Sequence, residues 1–365
     1  MRVGLLSFLL FLSLIADSSA AIAPISDGEF AAAFTAVRQA TLSLPHAPAA
    51  PARGPVEEVL DAFRQLPGTV SFQLHRLDPS PRVLYELNPD ASLAIGSTFK
   101  LYILAALSED RKPWSEILPI RQDLLSLPSG LLHRALPGSP MTVYGLAALM
   151  LSISDNTATD HLLHYAGRLR VERMLSLTGN ARPGRSVPFF STLEMFKLKS
   201  DPALASKYLA ADEPTRRALL ETEVRAIPRD EVARRLGNWK EPIAIDALEW
   251  FASASDLCRL MDHFRRKNDA VALGIMAVNP GLQFDDKMFS YVGFKGGSEP
   301  GVLNLTFLLK TRDGKSYALS AGWNNPTQEV DLTLFAGLVQ KAINTIGTSK
   351  NNTAALSFRS LSGLN

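Results

Sequence analysis

Cysteine is almost absent from this 365-residue chain, in which Cys258 is the only one. A single cysteine excludes an intrachain disulfide and a cysteine-based zinc site. Because Cys258 falls on the apolar side of a predicted helix, we expect it to be a core residue. The six histidines show neither the H-E-x-x-H pattern nor another metal-ligand spacing. The sequence therefore predicts no metal and no other cofactor.

An excess of charge is also lacking. The formal net charge is +2, and no block of basic residues is interleaved with aromatic residues. Nucleic acid is therefore not an expected partner. With 46% hydrophobic and 20% charged residues, the composition is that of a globular protein with a sizeable core.

Long apolar runs are confined to the start of the chain. Arg2, the apolar run Gly4 to Ala16 and the small residues up to Ala21 have the three parts of a secretory signal peptide, with cleavage expected after Ala20. No later segment approaches the roughly 20 apolar residues of a membrane span. We therefore expect an exported protein, periplasmic or extracellular, without a membrane anchor after cleavage.

The rest of the chain divides by composition. A short helix and a Pro/Ala-rich linker are predicted over residues 21–55, a compact domain over 56–348, and a disordered tail over 349–365. Within the domain, residues of about 56–95 and 268–348 form a sheet lobe. Residues of about 96–267 form a helical lobe.

The predicted strands lie at both ends of the domain. Alternating or continuous apolar patterns indicate two strands before the helical segment and three after it: Thr69 to Arg76, Val83 to Leu87, Phe289 to Gly296, Val302 to Lys310 and Ser316 to Trp323. The first two strands are expected to form a hairpin, and a loop over Asn88 to Ile95 follows the second of them. The Asp313-Gly314 turn joins the last two strands. The expected fold class is α+β, with one five-stranded antiparallel sheet, flanking N- and C-terminal helices and an inserted all-α domain.

The first chemical motif is an S-x-x-K pattern. Ser97 follows Gly96 at the start of an apolar helical segment, and Lys100 lies three residues on. Residues three apart share a helix face, so a neutral Lys100 could act as base for the Ser97 hydroxyl. The Ser97 N–H would be one of the unpaired donors of the first turn and available to an oxyanion. Alone, the pattern is also that of an N-capping serine followed by a solvated lysine.

The second motif is Ser154-Asp155-Asn156, which links two predicted helices. Ser154 could relay a proton between Lys100 and a leaving group, and the Asn156 amide could hold a substrate amide. Asp155 and Asn156 are equally suited to capping the second helix.

The third motif closes a strand. Lys295 could attract a substrate carboxylate and lower the pKa of Lys100 by like-charge repulsion. The backbone at Gly297 permits a ligand to lie against it, and Ser298 could complete the oxyanion hole and hold a carboxylate. A glycine-rich strand end is, by itself, more often only a turn.

In this order and on these elements, the three motifs resemble those of class A β-lactamases and the related penicillin-binding serine acyl enzymes. The resemblance covers about Val56 to Gly347 and implies a β-lactamase/transpeptidase-like fold. It implies that Ser97 is the acylated nucleophile, Lys100 its base and Ser154 the proton shuttle. Lys295 and Ser298 would form the carboxylate and oxyanion site, with Asn156 and Gly297 as further substrate contacts.

The sequence departs from the family in two places. Gly296 replaces the hydroxyl residue that usually follows the lysine, and the Glu-x-x-Leu-Asn loop of the deacylating glutamate is absent. Candidates for that glutamate are Glu241, Glu194 and Glu249. Each of them is also readily explained as a surface or salt-bridged carboxylate.

We therefore expect a monomeric serine hydrolase that opens penicillins and cephalosporins through an acyl-Ser97 intermediate and so takes part in β-lactam catabolism and antibiotic resistance. The alternatives are an esterase or D,D-peptidase that acts on related esters or peptides, and a penicillin-binding or sensing module that stays acylated. Other hydrolase motifs are missing, since no G-x-S-x-G elbow is present.

Overall fold

A five-stranded antiparallel sheet forms the centre of the molecule. The computed structural model describes residues 55–348, so the predicted signal peptide, the first short helix and the predicted tail lie outside the described residues. The strands of the sheet run in the order β2-β1-β9-β8-β7. Their bounds are Thr69–Asp78 (β1), Arg82–Leu87 (β2), Phe289–Glu299 (β7), Val302–Thr311 (β8) and Ser316–Asn324 (β9). The prediction of fold class and of all five strands is confirmed.

Four very short strands make two further ladders. These are Leu93–Ala94 (β3) with Phe251–Ala252 (β6), and Ile117–Pro119 (β4) with Pro140–Thr142 (β5). The prediction of an unbroken loop over Asn88 to Ile95 is therefore wrong at Leu93. Two-residue strands are formed by pairing with a distant segment, which a local pattern does not encode.

Twelve α-helices occur in the described part of the chain. Their bounds are Pro55–Arg64 (α1), Lys100–Glu109 (α2), Val143–Ser152 (α3), Asn156–Ala166 (α4), Arg168–Leu177 (α5), Thr192–Ser200 (α6), Pro202–Ala210 (α7), Glu213–Leu219 (α8), Arg229–Leu236 (α9), Ala254–Lys267 (α10), Ala270–Ala277 (α11) and Leu332–Thr348 (α12). A π-helical turn over Leu220–Val224 follows α8 directly.

Both faces of the sheet are covered. On one face, α1 and α12 pack against a core that contains Phe63, Phe72 and Phe335. On the other face, α10 packs against β9, β1 and β8. Every residue of β9 is consequently buried, and its pattern is continuous rather than alternating.

A second core fills the helical part of the molecule. It is centred on α2, whose residues Lys100 to Ser108 are all buried, and it includes the apolar faces of α3, α4, α5 and α10. Cys258 lies in this core, as predicted, and burial raises the pKa of its thiol to about 12. Strand β7 forms the sheet edge that faces this core. The predicted motifs meet at this boundary.

Two further structural observations concern the described range. Between residues 55 and 348, none of the helices combines the length and apolar composition that crossing a bilayer requires. The same range contains no cluster of three or more His, Cys, Asp or Glu side chains that is suited to a metal ion.

Candidate active site

Ser97 lies in a 3₁₀ turn, Gly96–Phe99, that leads directly into α2. The segment before it is fixed on two sides. The Asn324 side chain accepts a hydrogen bond from the Ala94 N–H at 2.8 Å and donates one to the Ala94 carbonyl at 3.0 Å. The Ile95 N–H donates to the Trp250 carbonyl at 3.0 Å. These bonds fix the segment that leads to Ser97, which is partly exposed.

Lys100 is completely buried and points into the second motif. Its Nζ lies 2.6 Å from the Ser154 carbonyl oxygen, 3.0 Å from Ser154 Oγ and 2.7 Å from Asn156 Oδ1. A neutral amine has two N–H donors and one lone pair. It can therefore donate to the two carbonyl oxygens and accept from the Ser154 hydroxyl.

Ser154 owes its orientation to an unusual backbone. Its φ is +60°, in the left-handed region that residues other than glycine seldom adopt. Such strain persists only where the surroundings hold it, and it occurs frequently at functional sites. Here it brings both the carbonyl oxygen and the hydroxyl of Ser154 to the same lysine. Asp155 caps α4, because its carboxylate accepts from the Ala158 N–H at 2.8 Å.

The support of this turn was not predicted from the sequence. The Ser129 hydroxyl donates to the Ser154 carbonyl at 2.7 Å, and its own carbonyl accepts from the Asn156 N–H at 3.1 Å. Asp155 also accepts from the N–H groups of Leu131 and Leu132, at 2.6 and 2.8 Å. Gly130 lies so close to Asp155 that a Cβ there would be 2.3 Å from the carboxyl carbon. The loop over residues 127–132 therefore acts as a scaffold for the second motif.

Lys295 reaches the same serine from strand β7. It is 3% exposed, and its Nζ donates to Ser154 Oγ at 3.1 Å as well as to the carbonyl of Gly296. Ser154 Oγ thus lies between the two lysine side chains. We call the hydrogen-bonded side chains of Lys100, Ser154, Asn156 and Lys295, together with Ser97 of the adjoining 3₁₀ turn, the lysine–serine cluster.

Burial lowers the pKa of both lysines, and the charge of Lys295 lowers that of Lys100 further. Burial, together with the charge of Lys295, holds the pKa of Lys100 well below its ordinary value of 10.5. Burial lowers the pKa of Lys295 from 10.5 to about 7. Desolvation disfavours a charged amine, and a neighbouring cation adds to that effect. Lys100 is thus the better candidate for a base.

Glycine permits strand β7 to touch the turn of Ser97. A Cβ on Gly297 would lie 2.0 Å from the Ile95 carbonyl oxygen and 2.7 Å from the Ser97 nitrogen. A Cβ on Gly96 would lie 3.0 Å from the Ser298 nitrogen. The backbone nitrogens of Ser97 and Ser298 are therefore close neighbours, as two donors to one oxyanion must be. The Ser298 side chain is exposed.

The structure does not bring the candidate glutamates into the lysine–serine cluster. Glu194 forms an ion pair with Arg168 at 2.6 Å and a capping box with Ser191 at the start of α6. Glu241 is exposed. Glu249 is buried against Lys199. Within residues 56–346, no hydrogen bond joins an Asp or Glu side chain to the five side chains of the cluster. A role of Glu241 or Glu194 in deacylation remains a prediction.

The sequence model of the beta-lactamase enzyme family matches residues 55–210. None of the curated proteins matches the chain.

Several solved structures have the same fold. The β-lactamase from Sphaerobacter thermophilus is 17% identical, with 81% of this chain and 96% of that chain covered at a TM-score of 0.56. For the β-lactamase from Francisella tularensis the identity is 12%, the coverage 81% and 99%, and the TM-score 0.55. A substituted form of PBP-A, solved as an acyl-enzyme complex with penicillin G, is 19% identical, with 84% and 100% covered and a TM-score of 0.54.

The family match and the fold point to the same class of protein. Residues 55–210 are similar to the beta-lactamase enzyme family, and the described fold is that of the β-lactamases and of PBP-A.

Proposed function

We propose that the protein is a serine acyl enzyme that opens β-lactam rings through an acyl-Ser97 intermediate and then hydrolyses it. The observation that carries the proposal is the position of Ser154 Oγ, 3.0 Å from Lys100 Nζ and 3.1 Å from Lys295 Nζ. A hydroxyl between two amines of lowered pKa is suited to moving a proton from one group to another.

The first step is acylation. Neutral Lys100 accepts the proton of the Ser97 hydroxyl while Ser97 Oγ attacks the ring carbonyl. The N–H groups of Ser97 and Ser298 stabilise the oxyanion, and one such donor lowers the barrier by about 3 kcal/mol. The proton passes from Lys100 through Ser154 Oγ to the ring nitrogen as the C–N bond breaks. Protonated Lys295 and the Ser298 hydroxyl hold the carboxylate of the substrate.

Deacylation requires a base that activates water. Since no Asp or Glu side chain of the described range is hydrogen-bonded to the lysine–serine cluster, Lys100 is the candidate base for this step too. This arrangement favours a second candidate function, a penicillin-binding protein with slow deacylation. An esterase or D,D-peptidase is a third candidate. The observation that favours it is Gly296, because the residue directly after Lys295 has no hydroxyl and Ser298 alone is left to supply one to a β-lactam carboxylate.

The test is the reaction of the protein with penicillin G, with absorbance of the ring and intact mass followed over time. We expect consumption of many equivalents of ring by the wild type and by Ser206→Ala, a surface control on α7. Ser97→Ala should show neither adduct nor ring opening. A stable adduct without turnover would identify a penicillin-binding protein. Unchanged turnover in Ser97→Ala would contradict the proposal.

A further inference from the structure

Alternate residues of strand β7 contact three different parts of the helical lobe. Side chains at alternate positions of a strand share one face and are about 7 Å apart. Lys295 reaches Ser154, the backbone of Gly297 touches the turn of Ser97, and Glu299 reaches Lys199 of α6. The Glu299 contact therefore fixes β7 on the far side of Ser97 from Lys295.

Lys199 is held between two carboxylates. Its Nζ lies 2.6 Å from Glu249 Oε1 and 2.5 Å from Glu299 Oε1. The side chains of Lys199 and Glu249 are fully buried, and that of Glu299 is 7% exposed. Burial alone would lower the pKa of Lys199, but the two carboxylates raise it above its ordinary value. Lys199 is therefore the cation of this group, which we call the glutamate–lysine triad.

The triad is electrostatically costly. If both carboxyl groups were ionised around one ammonium, an excess negative charge would remain, and among the described residues Glu249 Oε2 has no hydrogen-bond partner. Burial and the Glu249 carboxylate raise the pKa of Glu299 well above its ordinary value. A buried ion group of this kind seldom adds more stability than apolar residues of the same volume would. We therefore infer that the triad contributes to the relative position of the segments that it joins rather than to stability.

Glu249 connects the triad with a segment of the chain that contacts the residues on both sides of Ser97. Glu249 is followed by Trp250, whose carbonyl accepts from the Ile95 N–H. The Trp250 ring is stacked on Phe99, with centroids 3.6 Å apart. Trp250 thus contacts the chain both two residues before and two residues after Ser97. Lys199 consequently connects this segment with the strand that carries Ser298.

We propose that Lys199, Glu249 and Glu299 are positioning residues for the oxyanion pocket and that the triad sets the separation between the N–H groups of Ser97 and Ser298. This inference rests on the proposed acylation of Ser97. The triad acts through the backbone, since Glu299 directly follows Ser298 in β7. Loss of the bond to Lys199 would free the end of the strand and move the Ser298 N–H away from the oxyanion.

Acylation kinetics test the proposal. For Glu299→Ala, with penicillin G, we expect the acylation rate at saturation to fall at least tenfold while the apparent dissociation constant changes less than threefold. Glu299→Gln, which can still bond to Lys199, should keep the rate within threefold. The control is Glu172→Gln, because Glu172 is also a poorly exposed carboxylate paired with a cation, Arg217. An acylation rate in Glu299→Ala equal to that of Glu172→Gln would overturn the proposal.

A second variant covers a failure of Glu299→Ala to fold. Glu299→Asp keeps the carboxyl group but is one methylene shorter, so it should also lose the bond to Lys199 and show the same tenfold fall. A wild-type rate in folded Glu299→Asp would count against the triad.

Hydrogen exchange provides a readout that does not depend on catalysis. In the unliganded protein, amides of the segment 296–302 should exchange at least tenfold faster in Glu299→Ala than in the wild type and in Glu172→Gln. If the wild type forms no adduct with penicillin G, the proposed function fails, but the exchange result still decides whether the triad fixes β7. Unchanged exchange in folded Glu299→Ala would overturn the inference.

Discussion

At the scale of single residues, the chemistry of this site depends on how burial lowers the pKa of two lysine amines. Lys100 and Lys295 are both nearly inaccessible to solvent and both meet at Ser154 Oγ. In water each would carry a proton at neutral pH. In the protein, desolvation and mutual repulsion favour a state in which one of them is neutral.

A bell-shaped pH dependence of acylation follows. The rate should rise as Lys100 loses its proton and fall above about pH 7 as Lys295 loses its own. In Lys295→Arg the falling limb should move upward by at least about one pH unit, because a guanidinium stays charged. Acylation rates measured across pH would check this, with the exposed Lys310→Arg as control. An identical profile in Lys295→Arg would show that Lys295 does not set the alkaline limb.

Gly297 should tolerate no side chain. Since a Cβ there would overlap the Ile95 carbonyl and the Ser97 nitrogen, Gly297→Ala should displace one oxyanion donor and lower the acylation rate by about 100-fold or more. Gly274→Ala is the matched control, because open space surrounds Gly274 in helix α11. The control should acylate normally and be more stable by about 1 kcal/mol. A normal rate in Gly297→Ala would contradict the described contact.

Much of this residue-scale picture was predictable. The motifs around Ser97, Ser154 and Lys295 are local patterns, and the structure brings them together. Their supports were not predictable, because they are made by contacts between distant segments. Nothing in the local sequence distinguishes Ser129, and its role follows only from its hydrogen bond to the Ser154 carbonyl. The Lys199 bonds span 50 residues to Glu249 and 100 to Glu299.

At the scale of elements, the start of helix α6 beside the cluster is held by a buried acid. Asp160 accepts hydrogen bonds from the N–H groups of Thr192 and Leu193, at 2.7 and 3.1 Å. Burial raises its pKa from 3.8 to about 7 in spite of these donors. A carboxyl with a raised pKa holds its proton more tightly in the folded state, so the folded protein loses stability as pH rises from about 4 to about 7.

Asp160→Asn should remove this loss. Relative to the wild type, its Tm should increase by at least about 3 °C between pH 5 and pH 8, as measured by thermal unfolding. Asp201→Asn is the control: hydrogen bonds to Leu204 and Arg235 lower the pKa of Asp201 below 3.8, so its carboxylate stays ionised from pH 5 to pH 8 and the Tm difference between this variant and the wild type should not change over that range. A Tm difference for Asp160→Asn that shrinks as pH rises would contradict the assignment.

Helices and strands with a strong apolar pattern were predicted correctly. Elements whose position depends on pairing with a distant strand or on a helix cap were not. The strands of the main sheet were predicted to within a few residues, and the helix predicted around Cys258 is present as α10. Helix α6 was missed, since its start depends on the Ser191 capping box and on Asp160 as much as on its own sequence. The short strand β3 exists only because Phe251–Ala252 lies beside it.

At the scale of the whole molecule, two cores lie on opposite faces of one sheet, and the site lies at the boundary of the helical core. Phe63 of α1 belongs to the other core, where it packs between Phe72 and Phe335 at centroid distances of 5.3 and 5.6 Å. Stability and chemistry should therefore be separable by mutation.

Phe63→Ala tests this separation. It should lower the free energy of unfolding by about 3–5 kcal/mol, because it leaves a cavity in a closed core. The acylation rate of the folded fraction should remain within about twofold of the wild type. Denaturant unfolding and low-temperature kinetics would check both. A rate that falls together with stability would mean that the α1 core and the site are coupled.

The most direct test of the account is to locate the covalent bond. The protein should be mixed with penicillin G, quenched in acid within the first turnover and digested, and the peptide that carries the added mass identified by tandem mass spectrometry. The account predicts the adduct on Ser97 and on no other residue. An adduct on another residue, or ring opening with no adduct at any time, would contradict it.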